Sequence, residues 1–149
     1  MPFFPSLTIS FTNNTHAHTQ VRNPEVQYKA ISFYILQHPL GLARLLQVLT
    51  PHLDHARVVH LLRKNNSLPL AVEYMRNVQK ENLSVVNEAL NEIAVLEEDY
   101  GGLRTSIDDY DNFDQLQLAQ KVIQRENYSS YATTGYARLY CITLLYLVK

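Results

Sequence analysis

From position 26 onward the apolar residues recur at three- and four-residue spacing, which lines up side chains on one face of a helix. Val26, Ala30, Ile31, Tyr34 and Ile35 form the first stripe. It opens at Asn23-Pro24-Glu25, a cap, a first-turn proline and an acid at the positive helix end, and Pro39 stops it. Leu42, Leu45, Leu46 and Leu49 make a second stripe, ended by Pro51. Asp54 can cap a third helix carrying Val58, Val59, Leu61 and Leu62, broken by Asn65-Asn66-Ser67. Leu68-Pro69 opens a fourth, with Leu70, Tyr74, Met75 and Val78 inward. Ser84 can cap a fifth, with Val86, Ala89, Leu90 and Ile93 on one face. A sixth runs from about Asp99 to Tyr110 through Leu103 and Ile107, and a seventh follows Asp114 with Leu116, Leu118, Ala119 and Val122. Tyr34, Leu46, Val59, Leu90 and Ile107 are core candidates. No run alternates like a strand and no long heptad run appears, so the class is all-α. Very short links make successive helices antiparallel hairpins, which suits an α-solenoid, although a compact bundle has the same periodicity.

Both ends differ from this pattern. Residues 1–22, rich in Thr, Asn, His and Pro, predict an irregular or disordered arm. Residues 127–149, rich in Tyr, Ser and Thr, predict a divergent tail, leaving 23–126 as the repeat segment. Met1–Phe11 is apolar, but it lacks a basic start and Pro2 and Pro5 interrupt it, so it is a poor signal peptide. Leu139–Val148 is apolar but far short of the roughly 20 residues of a spanning helix. The expectation is a soluble, cytosolic chain, in which the sequons at Asn13, Asn65, Asn82 and Asn127 stay unmodified.

Composition removes several classes. Among 149 residues, 13 Lys and Arg face 14 Asp and Glu, a net charge of −1 that argues against a nucleic-acid binder. A 46% apolar content argues against disorder, and the single Cys141 excludes a disulfide framework or a cysteine zinc module. The charge is polarised. Residues 22–80 hold 8 basic and 3 acidic side chains (8 − 3 = +5), and residues 88–114 hold 9 acids and one Arg (1 − 9 = −8). Such asymmetry forms a solvated face, steers a charged partner or pairs neighbouring repeats.

No catalytic signature emerges. His52, Asp54, His55 and His60 cluster, but His55 and His60 are five apart on different helix faces and no HExxH occurs, so structural or surface roles fit better than a metal site. With Asp109 as the first position of a calcium loop, Asp114 falls where Gly is required and Gln120 where Glu is required. Helix capping accounts better for Asp99, Asp111 and Asp114. Gly101-Gly102 matches no phosphate loop and weakens its helix by about 1 kcal/mol per Gly relative to Ala.

Several stretches carry a resemblance: VQYKAISFY (26–34), LDHARVV (53–59), LPL (68–70), VNEALNE (86–92), EEDY (97–100), LRTSID (103–108), YDNFD (110–114) and LAQK (118–121). In order and spacing they are similar to the clathrin heavy chain, in its proximal leg. The resemblance implies an α-solenoid of clathrin heavy chain repeats with no catalysis and no cofactor. It implies a structural part of the coat in vesicle-mediated transport and endocytosis, located in the cytoplasm, at coated pits and on the cytoplasmic face of coated vesicles. The implied partners are clathrin light chain and other heavy chains, with no nucleic acid and no membrane insertion. The family's propeller, distal leg and trimerisation region have no match here, so adaptor contacts are not expected. Lys29, Arg57, Arg63 and Lys64 are the candidate surface for light chain or neighbouring legs. Ala43-Arg44, Val72-Glu73 and His52 depart from the family's usual residues, and Gly41, Gly101 and Gly102 replace better helix formers. Two alternatives stay open: a module that only binds light chain or legs, and a vesicle-tethering scaffold of similar repeats.

Overall fold

The structure is a computed structural model that describes residues 23–128. The predicted arm, Met1–Phe11, Asn13, the tail beyond 128, Cys141 and the run Leu139–Val148 lie outside the described residues. Seven α-helices follow one another, and no strand occurs among the described residues. They are α1 (Pro24–Gln37), α2 (Pro39–Leu49), α3 (His55–Lys64), α4 (Val72–Val78), α5 (Ser84–Leu96), α6 (Tyr100–Asp109) and α7 (Gln115–Tyr128). Short 3-10 turns cover Thr50–His52, Leu68–Ala71 and Gln79–Glu81.

Local chemistry sets most boundaries. Asn23 Oδ1 accepts from Glu25 N–H at 3.0 Å, and Asp54 Oδ1 accepts from Ala56 and Arg57 N–H, each satisfying donors that a first turn leaves free. Asp99 Oδ1 accepts from Gly102 N–H at 2.9 Å, and Asp114 Oδ1 accepts from Gln117 N–H at 2.9 Å. Pro39 does double duty, because only His38 separates α1 from α2 and the proline is the first residue of α2. Two predicted caps are corrected. Ser84 is the first helical residue of α5 and makes no capping bond; the extended residue before it is Leu83, which packs on the core and so sets the start. Asp111 caps nothing and instead accepts from Asn82 Nδ2 at 3.0 Å.

Three corners turn on single left-handed residues. Asn66, Asn82 and Glu98 have φ of 52°, 50° and 59°. At the end of α3, Ser67 N–H reaches back to Leu62 O, and at the end of α5, Asp99 N–H reaches back to Ala94 O, both at 2.9 Å. These are Schellman closures, with Asn66 and Glu98 where glycine is the usual residue.

The helices stack as an α-solenoid in two layers. In one, α1 packs on α3, α3 on α5 and α5 on α7; in the other, α2 packs on α4 and α6 lies against α5. The main core gathers Ile31, Leu46, Leu49, Val59, Leu62 and Met75, all essentially solvent-free. Burial of each such side chain contributes roughly 1.5–3 kcal/mol. A second, smaller cluster holds Val95, Leu103 and Val122, with Tyr100, Ile107 and Leu118 partly buried around it.

Three predicted inward residues point out: Val26, Leu70 and Leu116 are 45%, 42% and 68% exposed. In α1 the buried face is Gln27, Tyr28, Ile31 and Ile35, because the Tyr28 hydroxyl accepts from Asp54 N–H at 2.9 Å and ties that face to the start of α3. Leu70 lies in a 3-10 turn, where three residues per turn put Leu68 and Ala71 on the same buried side. In α7, Leu118 and Val122 face the core four residues apart, which places Leu116 about 200° away from Leu118. Tyr34 and Ile107 are partly rather than fully buried; the Tyr34 ring lies against Gly41, where an added Cβ would meet Cε1 at 2.9 Å.

The two adjacent glycines of α6 are not equivalent. A Cβ on Gly101 would meet nothing nearer than Asp99 Oδ1 at 3.8 Å, whereas one on Gly102 would collide with the Asp99 carboxylate, its Cγ at 2.9 Å. Gly101→Ala is expected to raise stability by up to about 1 kcal/mol through helix propensity. Gly102→Ala is expected to leave it nearly unchanged, because displacing the Asp99 cap costs about 1 kcal/mol and offsets the propensity gain. Thermal melts of the two variants check the difference.

Candidate interaction surface

The four basic candidates, Lys29, Arg57, Arg63 and Lys64, lie on two helices and face more than one way. Lys29 is on α1, and the other three are on α3. Arg57 and Lys64 are seven residues apart, which places them on one stripe of α3. Arg57 reaches across to α1: its guanidinium donates two bonds to the Glu25 carboxylate, at 2.8 and 3.0 Å. The same guanidinium sits 3.9 Å above the Tyr28 ring. Bidentate pairing and stacking on an aromatic face are the geometries that favour arginine over lysine. The Arg57 hydrogen bond and charge hold the Glu25 carboxyl below the usual carboxylate range, and Glu25 in turn raises Arg57. Lys29 stands one turn beyond Glu25 and adds to its lowering.

Arg63 faces another way. It donates to Glu92 on α5 at 3.1 Å, and Lys121 on α7 donates to the same carboxylate oxygen at 2.9 Å. One acid therefore ties α3, α5 and α7 together. The charge polarity of the sequence is in part a stacking device: cations of one repeat meet an acid of the next. Among the described residues Lys29 and Lys64 form no ion pair, so these two present free charge on the α1–α3 surface.

The histidine cluster resolves into separate structural roles. His52 and His60 are exposed and Asp54 is a cap. His55 is packed edge-on against Tyr74, its Nδ1 lying 2.6 Å from the Tyr74 hydroxyl and its Nε2 3.5 Å from Glu81. Burial pushes the Tyr74 hydroxyl far above its usual range, so it stays a neutral phenol beside the ring. The pair joins the start of α3 to α4 and the turn after it. Among the described residues no three His, Cys, Asp or Glu side chains are placed to share a metal ion, and no helix is long and apolar enough to cross a membrane.

Apolar periodicity missed a buried polar seam. Asn87 and Asn91 on α5 are essentially solvent-free and Gln79 is buried. Asn87 Nδ2 donates to Asn82 Oδ1 at 2.8 Å and to Asn112 O at 3.0 Å. Asn112 Nδ2 donates back to Asn82 O at 2.8 Å. The Ser106 hydroxyl donates to Asn91 Oδ1 at 2.9 Å and accepts from Gln79 Nε2 at 3.1 Å. This seam fixes α6 and the 110–114 link onto the α4–α5 corner. The sequence signal was present in the Asn and Ser residues of the VNEALNE and LRTSID stretches, but it has no helical apolar period.

Comparison with known proteins places the chain among helical repeats of one kind. A family model described as a region in clathrin and VPS matches residues 46–145. Clathrin heavy chain 1 of Oryza sativa subsp. japonica is 52% identical over 107 residues, covering 72% of this chain and 6% of that protein. Clathrin heavy chain of Drosophila melanogaster is 50% identical over 108 residues, with the same two coverages. Clathrin heavy chain 2 of Homo sapiens is 50% identical over 104 residues, covering 70% of this chain and 6% of that protein. The chain thus spans 6% of the length of these curated relatives.

Proposed function

The chain belongs to the clathrin heavy chain family, and from that membership we propose that it is a structural strut of the clathrin coat. In this reading residues 23–126 are a proximal-leg repeat segment that packs against other heavy chains in the lattice and binds clathrin light chain. It serves vesicle-mediated protein transport and endocytosis at coated pits and on the cytoplasmic face of coated vesicles. The work is mechanical: each hairpin buries its apolar stripe against the next, and many weak contacts suffice because assembly is multivalent.

The observation that carries the light-chain assignment is the pair of lysines, Lys29 and Lys64, left without ion-pair partners beside the Arg57–Glu25 clamp. Unpaired cations on a rigid helical surface favour an acidic partner. Arg63 drops out of the contact set, since its guanidinium is committed to Glu92. Reversing both lysines (K29E/K64E) is expected to weaken binding of purified clathrin light chain about tenfold in a calorimetric titration, with the helical circular dichroism unchanged. Equal affinity of the two forms would refute the assignment.

A further inference from the structure

A groove of about 450 Å³ runs between α4 and α6, with α5 as its floor. Its volume is within the range of sites that enclose a few side chains. Val72, Ala94 and Tyr110 supply the accessible apolar lining over the buried Ile93, and Glu97, Asp99 and Asp109 stand on its rim with one cation, Arg76, on the α4 side. Among the described residues none of these four charged groups has an ion-pair partner. That is unlike the α1–α3 surface, where Arg57 and Glu25 neutralise each other at 2.8 Å. Asp99 is occupied by backbone at one oxygen through its α6 cap, but its charge still faces out.

We propose that this groove docks a short amphipathic segment of another protein, with apolar side chains on Val72, Ala94 and Tyr110 and flanking Lys or Arg side chains on the acidic rim. Three carboxylates against one guanidinium leave the rim at −2, which selects a cationic segment and repels an acidic one. The site is in the layer of α4 and α6 and carries the sign opposite to that of the Lys29–Lys64 surface. The two surfaces therefore take partners of opposite charge, and this inference is independent of the light-chain assignment.

The test uses the full 149-residue chain. The probe is a fluorescein-labelled helical peptide with Leu at i, i+3 and i+7 and Lys on the flanks, followed by anisotropy at low salt, where screening is weak. Saturable binding of the Lys peptide, no binding of its Glu-flanked counterpart, and about fivefold weaker binding by E97Q/D109N are expected. Exposed Glu73, outside the groove, is the control, and E73Q is expected to bind like the parent. Failure of the Lys peptide to bind, or equal weakening by E73Q, would overturn the proposal. Sedimentation velocity of the same variants reads the remaining alternative: a dimer that E97Q/D109N converts to monomer would make the occupant a second copy and sink the proposal as stated.

Discussion

Leu103→Ala is expected to cost about 3 kcal/mol and to release α6 and α7 while α1–α5 stay protected from hydrogen exchange. Leu103 is the one fully buried side chain of α6, with no solvent exposure. Its cluster contains just two other buried apolar residues, Val95 and Val122, so a cavity there removes much of what holds the last two helices. The larger cluster beneath α1–α5 contains no residue from α6 or α7. Exchange measured peptide by peptide would show protection lost from 100–128 first. Uniform loss along the chain would instead mean that the repeats unfold as one cooperative unit.

Asn87→Asp is expected to be still more damaging, about 3–5 kcal/mol at neutral pH, the cost of an uncompensated buried charge. The native Nδ2 donates to two acceptors, Asn82 Oδ1 and Asn112 O, and a carboxylate there would face both of them without a proton. The native Oδ1 is already buried without a donor among the described residues, so the second oxygen of the aspartate gains nothing either. The sign of the pH dependence follows. Such a burial raises the carboxyl pKa in the folded state above its unfolded value, so the deficit is largest at neutral pH and shrinks as pH falls toward about 4. Urea midpoints at two pH values check this, and Asn87→Ala, which adds no charge, should show a pH-independent loss.

Helix starts and stops were largely legible because they rest on single residues with local chemistry. Asn23, Asp54, Asp99 and Asp114 cap as their side chains dictate, and Pro39 marks a boundary wherever the chain goes next. Faces were less legible where a polar contact outweighs the apolar stripe. Tyr28 is buried because its hydroxyl binds backbone 26 residues away, which no periodicity can show. A 100° helical wheel turns Leu70 inward, but the residue belongs to a turn with a 120° step. The candidate surface divides for a similar reason. Four basic residues look alike in the sequence, and just the fold distinguishes Arg57 and Arg63, held by Glu25 and Glu92, from Lys29 and Lys64. The groove acids were visible as a charge run, but their lack of cation partners and the apolar floor beneath them needed the packed helices.

The left-handed corners are evenly spaced and unequal in cost. Asn66, Asn82 and Glu98 follow one another at equal intervals (82 − 66 = 16 and 98 − 82 = 16). Each turns the chain between successive helices, so these reversals recur at a fixed period along the stack. Two of the points hold asparagine, which tolerates this backbone through its short polar side chain, while Glu98 pays the steric penalty of its Cβ in full, about 1–2 kcal/mol. The steric cost of these turns is therefore concentrated at the α5–α6 corner.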